Sequence, residues 1–172
     1  MKLSLVAALL VSLSILCGEV RAEPEVAWST ECDTTEGWHW NKEDAGMNAK
    51  VSQFETSMIQ VTQDGGDTWG KVAYVVEGID LDKTSILEVK AAKVDVGCGF
   101  MVNVASSDWS EMFTVVKRTS ADGIHKGNIE KAIKDSKNPD LWKSPAKFNV
   151  VVVVEGKDKS VLLDHLKIRS DK

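Results

Sequence analysis

Residues 148 to 168 read FNVVVVVEGKDKSVLLDHLKI, and this stretch decides the fold class of the chain. Val150 to Val154 is a run of β-branched residues, which are stiff at χ1 and favour a pleated sheet. Residues 156 to 160 are polar and predict a turn, and residues 161 to 168 predict a second strand. Two strands joined by a short polar link are typical of an antiparallel hairpin.

One carboxylate interrupts the second strand. Counting every second residue places Asp164 on one face with Leu162, Leu166 and Ile168. A charge on an apolar face costs free energy unless it is paired, hydrogen-bonded or bound to a metal. We therefore expect Asp164 to be a structural residue, held by a metal ion or by hydrogen-bond donors such as loop amides.

The N-terminus has the pattern of a secretory signal peptide. Lys2 supplies the positive charge, Leu3 to Leu16 is apolar, and Val20-Arg21-Ala22 places small residues at positions −3 and −1. The apolar run is too short to favour a retained transmembrane helix. Lipidation at Cys17 is disfavoured because the preceding leucine is large. We expect a signal peptide at 1–22, a single domain at 23–172, and a secreted protein, extracellular or periplasmic.

The chain is acidic, with a formal net charge of −5. Cleavage would remove Lys2, Glu19 and Arg21 and leave the mature chain one unit more negative. An acidic chain without a basic stripe argues against nucleic acid and against anionic membrane surfaces as partners. Two cysteines would remain, Cys32 and Cys98, and the sequence leaves open whether they form a disulfide or stay as two buried thiols.

Strand patterns recur along the rest of the chain at a spacing of about ten residues. The predicted strands are residues 26–31, 38–40, 49–54, 58–62, 69–77, 86–94, 98–105 and 112–118. The residues predicted to face the core are Val72, Tyr74 and Val76, then Leu87, Val89 and Ala91, then Cys98, Phe100, Val102 and Val104. Only residues 128–135 have a helical spacing, and a strand would also fit there. The pattern predicts an all-β fold, an antiparallel two-sheet sandwich.

The sequence contains no catalytic signature. His39, His125 and His165 do not have metal-binding spacing, and no nucleophile elbow or phosphate-binding loop is present. Carboxylates are numerous, but most are expected to be solvated surface groups. We therefore do not expect an enzyme.

Tryptophan is in excess, with six Trp against a single Tyr. The six are Trp28, Trp38, Trp40, Trp69, Trp109 and Trp142. Each can either fill the core or stack on a sugar ring, whose C–H groups suit the negative face of an aromatic ring. Trp109 differs from the others because it lies in a polar loop, residues 106–111, where an aromatic side chain is more often exposed and functional.

Three segments resemble the galactose-binding-like β-jelly rolls that serve as carbohydrate-binding modules. Residues 33–38, DTTEGW, are similar to the acidic turn and Gly-Trp that open these modules. Residues 69–72, WGKV, and 78–81, GIDL, are similar to their W-x-K-V and G-x-D-L segments. Residues 161–168, VLLDHLKI, are similar to their closing strand with its inward Asp.

The resemblance implies a jelly-roll fold and a secreted, non-catalytic module that binds a polysaccharide or glycan. It also implies a structural calcium ion held by the closing carboxylate, here Asp164, and by an acidic residue near the first strand. Glu31 and Asp33 are both candidates for the latter. The alternatives are an adhesion or scaffold domain that binds an extracellular protein and, third, a sugar-active enzyme or its accessory domain.

The resemblance also indicates where a sugar would bind. In such sandwiches the outward side chains of one sheet and the flanking loops form the cleft. The predicted core faces turn Trp69, Lys71 and Asn103 outward, and Trp109 lies in the loop that follows. We expect the two tryptophans to stack on the sugar and Lys71 and Asn103 to bond its hydroxyl groups.

Overall fold

The computed structural model describes residues 24–39, 48–64 and 69–171. In chain order, the elements are β1 (Val26–Thr30), β2 (Trp38–His39), β3 (Ala49–Phe54), β4 (Met58–Gln63), β5 (Trp69–Ile79), β6 (Ile86–Val94), β7 (Gly99–Ser106), β8 (Met112–Thr119), β9 (Gly123–Asn128), α1 (Ile129–Ile133), a 3₁₀ helix (Pro139–Trp142), β10 (Ala146–Glu155) and β11 (Ser160–Arg169). The predicted signal peptide lies outside the described residues.

The strands form two antiparallel sheets. A six-stranded sheet has the order β3-β4-β11-β6-β9, with β1 also paired to β11, and a five-stranded sheet has the order β2-β5-β10-β7-β8. A single large apolar core lies between them. The predicted core faces of β5, β6 and β7 all line this core, with Tyr74 partly buried against Trp28 and Trp38. The predicted all-β, antiparallel two-sheet sandwich is confirmed.

The predicted hairpin between residues 150–154 and 161–168 is wrong. β10 lies in the five-stranded sheet between β5 and β7, whereas β11 lies in the six-stranded sheet between β6 and β4. Each strand is central in its own sheet, so other strands already occupy both of its edges. The polar link at residues 156–159 therefore carries the chain across the sandwich from one sheet to the other.

The predicted common face of Asp164 and its apolar neighbours is also wrong. The register of β11 against β6 shifts twice between Leu162 and His165, and such an irregularity changes the face on which the following residues lie. Leu163 and Leu166 are both buried although they are three residues apart, whereas Asp164 between them is partly exposed.

Residues near 128 form a helix rather than a strand. Asn128 caps α1 by accepting a hydrogen bond from the Lys131 amide at 2.7 Å, and Ile129 is fully buried. The sequence analysis missed β9, whose sequence GIHKGN has little strand character, and the 3₁₀ helix that brings Trp142 into the core.

Candidate functional site

The outer face of the five-stranded sheet carries the side chains that alternate with core residues. Ala73, Ala105, Val151 and Val153 form a second buried apolar cluster there, separate from the sandwich core, with Met101 packed against it. We call these five residues the outer patch. An apolar patch on the outer side of a sheet is unusual, because that side normally carries polar residues. Its alanines and valines are at most 7% exposed, so the patch is covered and a ligand would meet the exposed side chains of this face instead.

Three of the four predicted ligand residues lie on this face by strand register. Lys71 is opposite Val153, and Asn103 is opposite Val151. Trp69 lies two residues before Lys71 on β5 and is 44% exposed. The fourth, Trp109, is 40% exposed and lies in the turn between β7 and β8.

The structure brings Lys71 and Trp109 together. The Lys71 Nζ atom lies 5.5 Å from the centroid of the Trp109 ring, within cation–π range. Lys71 belongs to β5 and Trp109 follows β7, and these strands lie on opposite sides of β10. The contact therefore spans the outer face of β10, where the two valines of the outer patch lie.

The turn that carries Trp109 is held by its own hydrogen bonds. The Trp109 amide donates to the Ser106 carbonyl at 2.9 Å. The Asp108 carboxylate accepts from the Ser106 hydroxyl at 2.6 Å and from the Ser110 amide and hydroxyl at 3.0 and 2.8 Å. These bonds, that from Ser106 foremost, lower the pKa of Asp108 to about 2. The turn is thus ordered before any ligand arrives.

Glu111 anchors the end of this turn to the rest of the molecule. Its carboxylate accepts from the Ser136 hydroxyl at 2.5 Å, the Lys137 amide at 2.7 Å and the Trp142 indole N–H at 3.1 Å. The bond from Ser136 is the main cause that lowers the pKa of Glu111. Trp142 is buried in the core, so the turn is tied to the most rigid part of the fold.

Trp109 itself has a strained backbone, with φ at 62°. This left-handed region costs a non-glycine residue about 1 to 2 kcal/mol and is tolerated where the surroundings impose it. Residues held in this way cluster at functional sites. The indole ring is therefore presented in a fixed position beside the outer patch.

Asn103, on β7, is a polar residue of the same outer face, opposite Val151. Its side chain is only 7% exposed, and its amide nitrogen lies 3.4 Å from the Met112 sulfur. Its Oδ1 atom is buried and has no hydrogen-bond partner in the described structure. An unsatisfied buried acceptor costs about 1 to 3 kcal/mol. A ligand hydroxyl group that donates to Oδ1 would remove this cost, but it reaches the atom only after a covering side chain such as Met112 moves aside.

Sequence reasoning missed Met112 and the outer patch. Met112 is 41% exposed, lies opposite Ala105 in the β7–β8 pair and contacts Asn103. Counting the register outward from the turn at residues 106–111 could have found it. The patch gave no signal, because a run of valines looks the same whether one or both faces are covered.

The tryptophans divide into two groups. Trp38 and Trp142 are buried in the sandwich core, and Trp28 packs against it. Trp69 and Trp109 are exposed, while Trp40 lies outside the described residues. The prediction that Trp109 is exposed agrees with this division.

Two of the three predicted metal ligands, Asp164 and Glu31, are paired with lysines of the protein. The Asp164 carboxylate lies 3.0 Å from both Lys90 Nζ and His165 Nδ1, and the bond from Lys90 is the main cause that lowers the pKa of Asp164. Glu31 pairs with Lys167 at 3.4 Å, and Asp33 is exposed. Within the described ranges, no group of three or more His, Cys, Asp or Glu side chains is placed to hold a metal ion. A calcium ion at this place would therefore have to displace Lys90 and Lys167 from these carboxylates, and the calcium site stays a prediction.

Both cysteines are buried free thiols. Burial, followed by the nearby Asp164 and other carboxylates, raises the pKa of Cys32 to about 12. Burial, followed by Asp95, raises the pKa of Cys98 to about 11. Of the two alternatives left open by the sequence, the structure has the thiols.

In the described part of the chain, no helix is long and apolar enough to cross a membrane.

No protein-family model and no curated protein matches the sequence, but solved structures share the fold. PfGH50B matches with a TM-score of 0.51 and 12% identity over 78% of this chain, which spans 22% of the length of that one. A variant of SCLam, a non-specific endo-β-1,3(4)-glucanase of family GH16, matches with a TM-score of 0.50 and 12% identity over 87% of this chain and 96% of that chain. The protein has a jelly-roll fold. The CBM22-1 xylan-binding domain of Paenibacillus barcinonensis Xyn10C is also similar, at a TM-score of 0.49 and 14% identity over 87% of this chain and 96% of that domain.

Proposed function

We propose that the protein is a secreted, non-catalytic carbohydrate-binding domain that holds a sugar on the outer face of its five-stranded sheet. The observation that carries the proposal is the arrangement at Trp109 and Asn103. An exposed indole is fixed in a strained turn, and a buried acceptor on the same face lacks a donor. A pyranose offers both an apolar ring face for the indole and hydroxyl donors for the amide.

The charges on this face support binding rather than hydrolysis. A glycosidase usually needs two carboxyl groups on either side of the scissile bond, one of them able to donate a proton. Of the outward carboxylates described on β5 and β10, Glu77 pairs with Lys147 at 2.5 Å and Glu155 pairs with Arg118. Both carboxylates are thus engaged by cations of the protein.

The test is affinity electrophoresis and calorimetry of the mature chain against a panel of soluble polysaccharides. We expect at least one polysaccharide to bind. Trp109→Ala should weaken that binding about tenfold or more, because stacking of a flat ring on an aromatic side chain contributes about 1 to 3 kcal/mol, as for nucleic-acid bases. Ile124→Ala is the matched control, since Ile124 is also exposed, at 55%, but lies on β9 of the other sheet.

The outcomes separate the two candidate functions. Loss of binding in Trp109→Ala together with an unchanged melting temperature supports the proposal. A folded wild-type protein that binds no polysaccharide would overturn it and favour the protein-binding alternative. Secretion is tested separately, by intact-mass measurement of exported protein, which should begin at Glu23.

A further inference from the structure

We infer that the sugar recognised at this site is acidic, carrying a carboxylate or sulfate group that pairs with Lys71. This inference rests on the proposed function and narrows it to a class of ligand. Its starting point is the balance of charge on the outer face of the five-stranded sheet.

The outward carboxylates of β5 and β10, Glu77 and Glu155, already have cationic partners. Lys71 is the reverse case. None of the ion pairs in the described part of the chain includes it. Among the outward side chains described on β5 and β10, Lys71 is therefore the one charged group without an oppositely charged partner, although the whole chain has a formal net charge of −5.

The position of Lys71 makes this charge available to a ligand. The side chain is half-buried beside the outer patch, and its ammonium lies 5.5 Å from the centroid of the Trp109 ring. The ring attracts the cation but accepts no strong hydrogen bond, whereas an ammonium has three donors. A sugar that stacks on Trp109 comes within reach of these donors.

An anionic substituent satisfies Lys71 better than a hydroxyl group does. Hydrogen bonds between an ammonium and an anionic oxygen are about twice as strong as those between neutral groups. The carboxylates of the flanking turn, Asp108 and Glu111, are held by hydroxyl and N–H donors of the protein, which leaves Lys71 to interact with the substituent. The local cation therefore decides which sugars bind.

The experiment compares polysaccharides that differ only in charge. One pair is polygalacturonate and its fully methyl-esterified form, and the other is a sulfated galactan and its desulfated form. We expect the wild-type protein to bind the anionic member of at least one pair about tenfold more tightly than its neutral form. A preference for the anionic member of the first pair identifies a carboxylate, and a preference for that of the second pair identifies a sulfate.

Variants of Lys71 test the contact itself. Lys71→Met should lower affinity for the anionic polysaccharide about tenfold, and Lys71→Arg should stay within a few-fold of wild type. Lys147→Met is the matched control. Lys147 lies on β10, in the same sheet as Lys71, but it is paired with Glu77. Its affinity should not change.

The results separate failure of this inference from failure of the proposed function. Tight binding of neutral polysaccharides that Trp109→Ala abolishes and Lys71→Met leaves unchanged would overturn the acidic ligand while keeping the sugar site. Absence of binding to every polysaccharide, charged or neutral, would overturn both.

Discussion

At the scale of single residues, two asparagines on neighbouring strands differ in the hydrogen bonding of their side-chain amides. Asn103 and Asn149 are both at least nine-tenths buried on the outer side of the five-stranded sheet. The Asn149 amide donates to the Ser106 carbonyl at 3.2 Å, whereas the Asn103 acceptor has no partner in the described structure. One amide therefore stabilises the fold, and the other leaves a buried acceptor unpaired.

This contrast predicts opposite effects of the same substitution. Asn103→Leu should raise the free energy of unfolding by about 1 kcal/mol, because it removes an unsatisfied buried acceptor at nearly constant volume, and it should abolish sugar binding. Asn149→Leu should lower the free energy of unfolding by about 1 kcal/mol. Urea denaturation of both variants measures the difference, and a loss of stability in both would contradict the assignment of Asn103.

The sequence was informative about where Asn103 lies but not about its unpaired acceptor. Alternation along β7 turns it outward opposite Phe100 and Val102. The missing hydrogen bond depends on neighbours from other strands, above all Met112, which local periodicity does not reveal. The contact of Lys71 with Trp109 is likewise long-range, since their strands are joined only through β10.

At the scale of elements, the turn at residues 106–111 predicts a dependence on pH. The pKa of Asp108 is about 2 in the folded protein, below its usual value of about 3.9. Its ionised form therefore contributes stability above about pH 4, and this contribution is lost as the pH falls toward 2. The difference in urea midpoint between wild type and Asp108→Asn should be present at pH 6 and shrink between pH 4 and 2. A difference that is constant over this range would exclude the role given to Asp108.

Strand β9 predicts a second effect at this scale. A Cβ atom at Gly127 would lie 2.0 Å from the Val115 carbonyl oxygen of β8, so the edges of the two sheets meet here backbone to backbone. Gly127→Ala should destabilise the protein by about 3 kcal/mol or more, since neither backbone can move freely. Gly99→Ala is the control, because its Cβ would meet only the flexible Arg118 side chain. Thermal melts of the two variants should differ clearly, and equal midpoints would argue against a rigid contact.

The errors of prediction also belong to this scale. Alternation located β3 and β6 to the residue, because each has one face in the core. It failed for the link between β10 and β11, since a strand covered on both faces gives no sign of its neighbours. It missed β9 because Gly123 and Gly127 dilute its strand pattern, and of the two only Gly127 lies at a close backbone approach.

At the scale of the whole molecule, the two thiols report on global unfolding. Their raised pKa values, about 12 for Cys32 and 11 for Cys98, leave almost no reactive thiolate at pH 8, and both side chains are buried. We expect no rapid reaction of the folded mature protein with a thiol reagent and two thiols after denaturation. If no thiol reacts after denaturation in the absence of a reductant, Cys32 and Cys98 form a disulfide instead.

The contacts of Asp164 with Lys90 and His165 also predict a whole-molecule result. Lys90 and His165 already hold Asp164, so a divalent cation gains little there. We expect the melting temperature to be the same with EDTA and with added calcium. A rise in the presence of calcium would support the metal site that the resemblance implies.

Strand β10 has a consequence for the chain before it folds. Its valines are covered on both faces and paired along both edges only when the sandwich is complete. In the unfolded chain, residues 149–154 form an uncharged segment free of proline, which is the composition of cross-β aggregates, bounded by Lys147 and Glu155 as the nearest charges. Refolding at high protein concentration should therefore compete with fibril formation. Thioflavin binding that falls when Val151 is replaced by Lys would trace the fibrils to this strand.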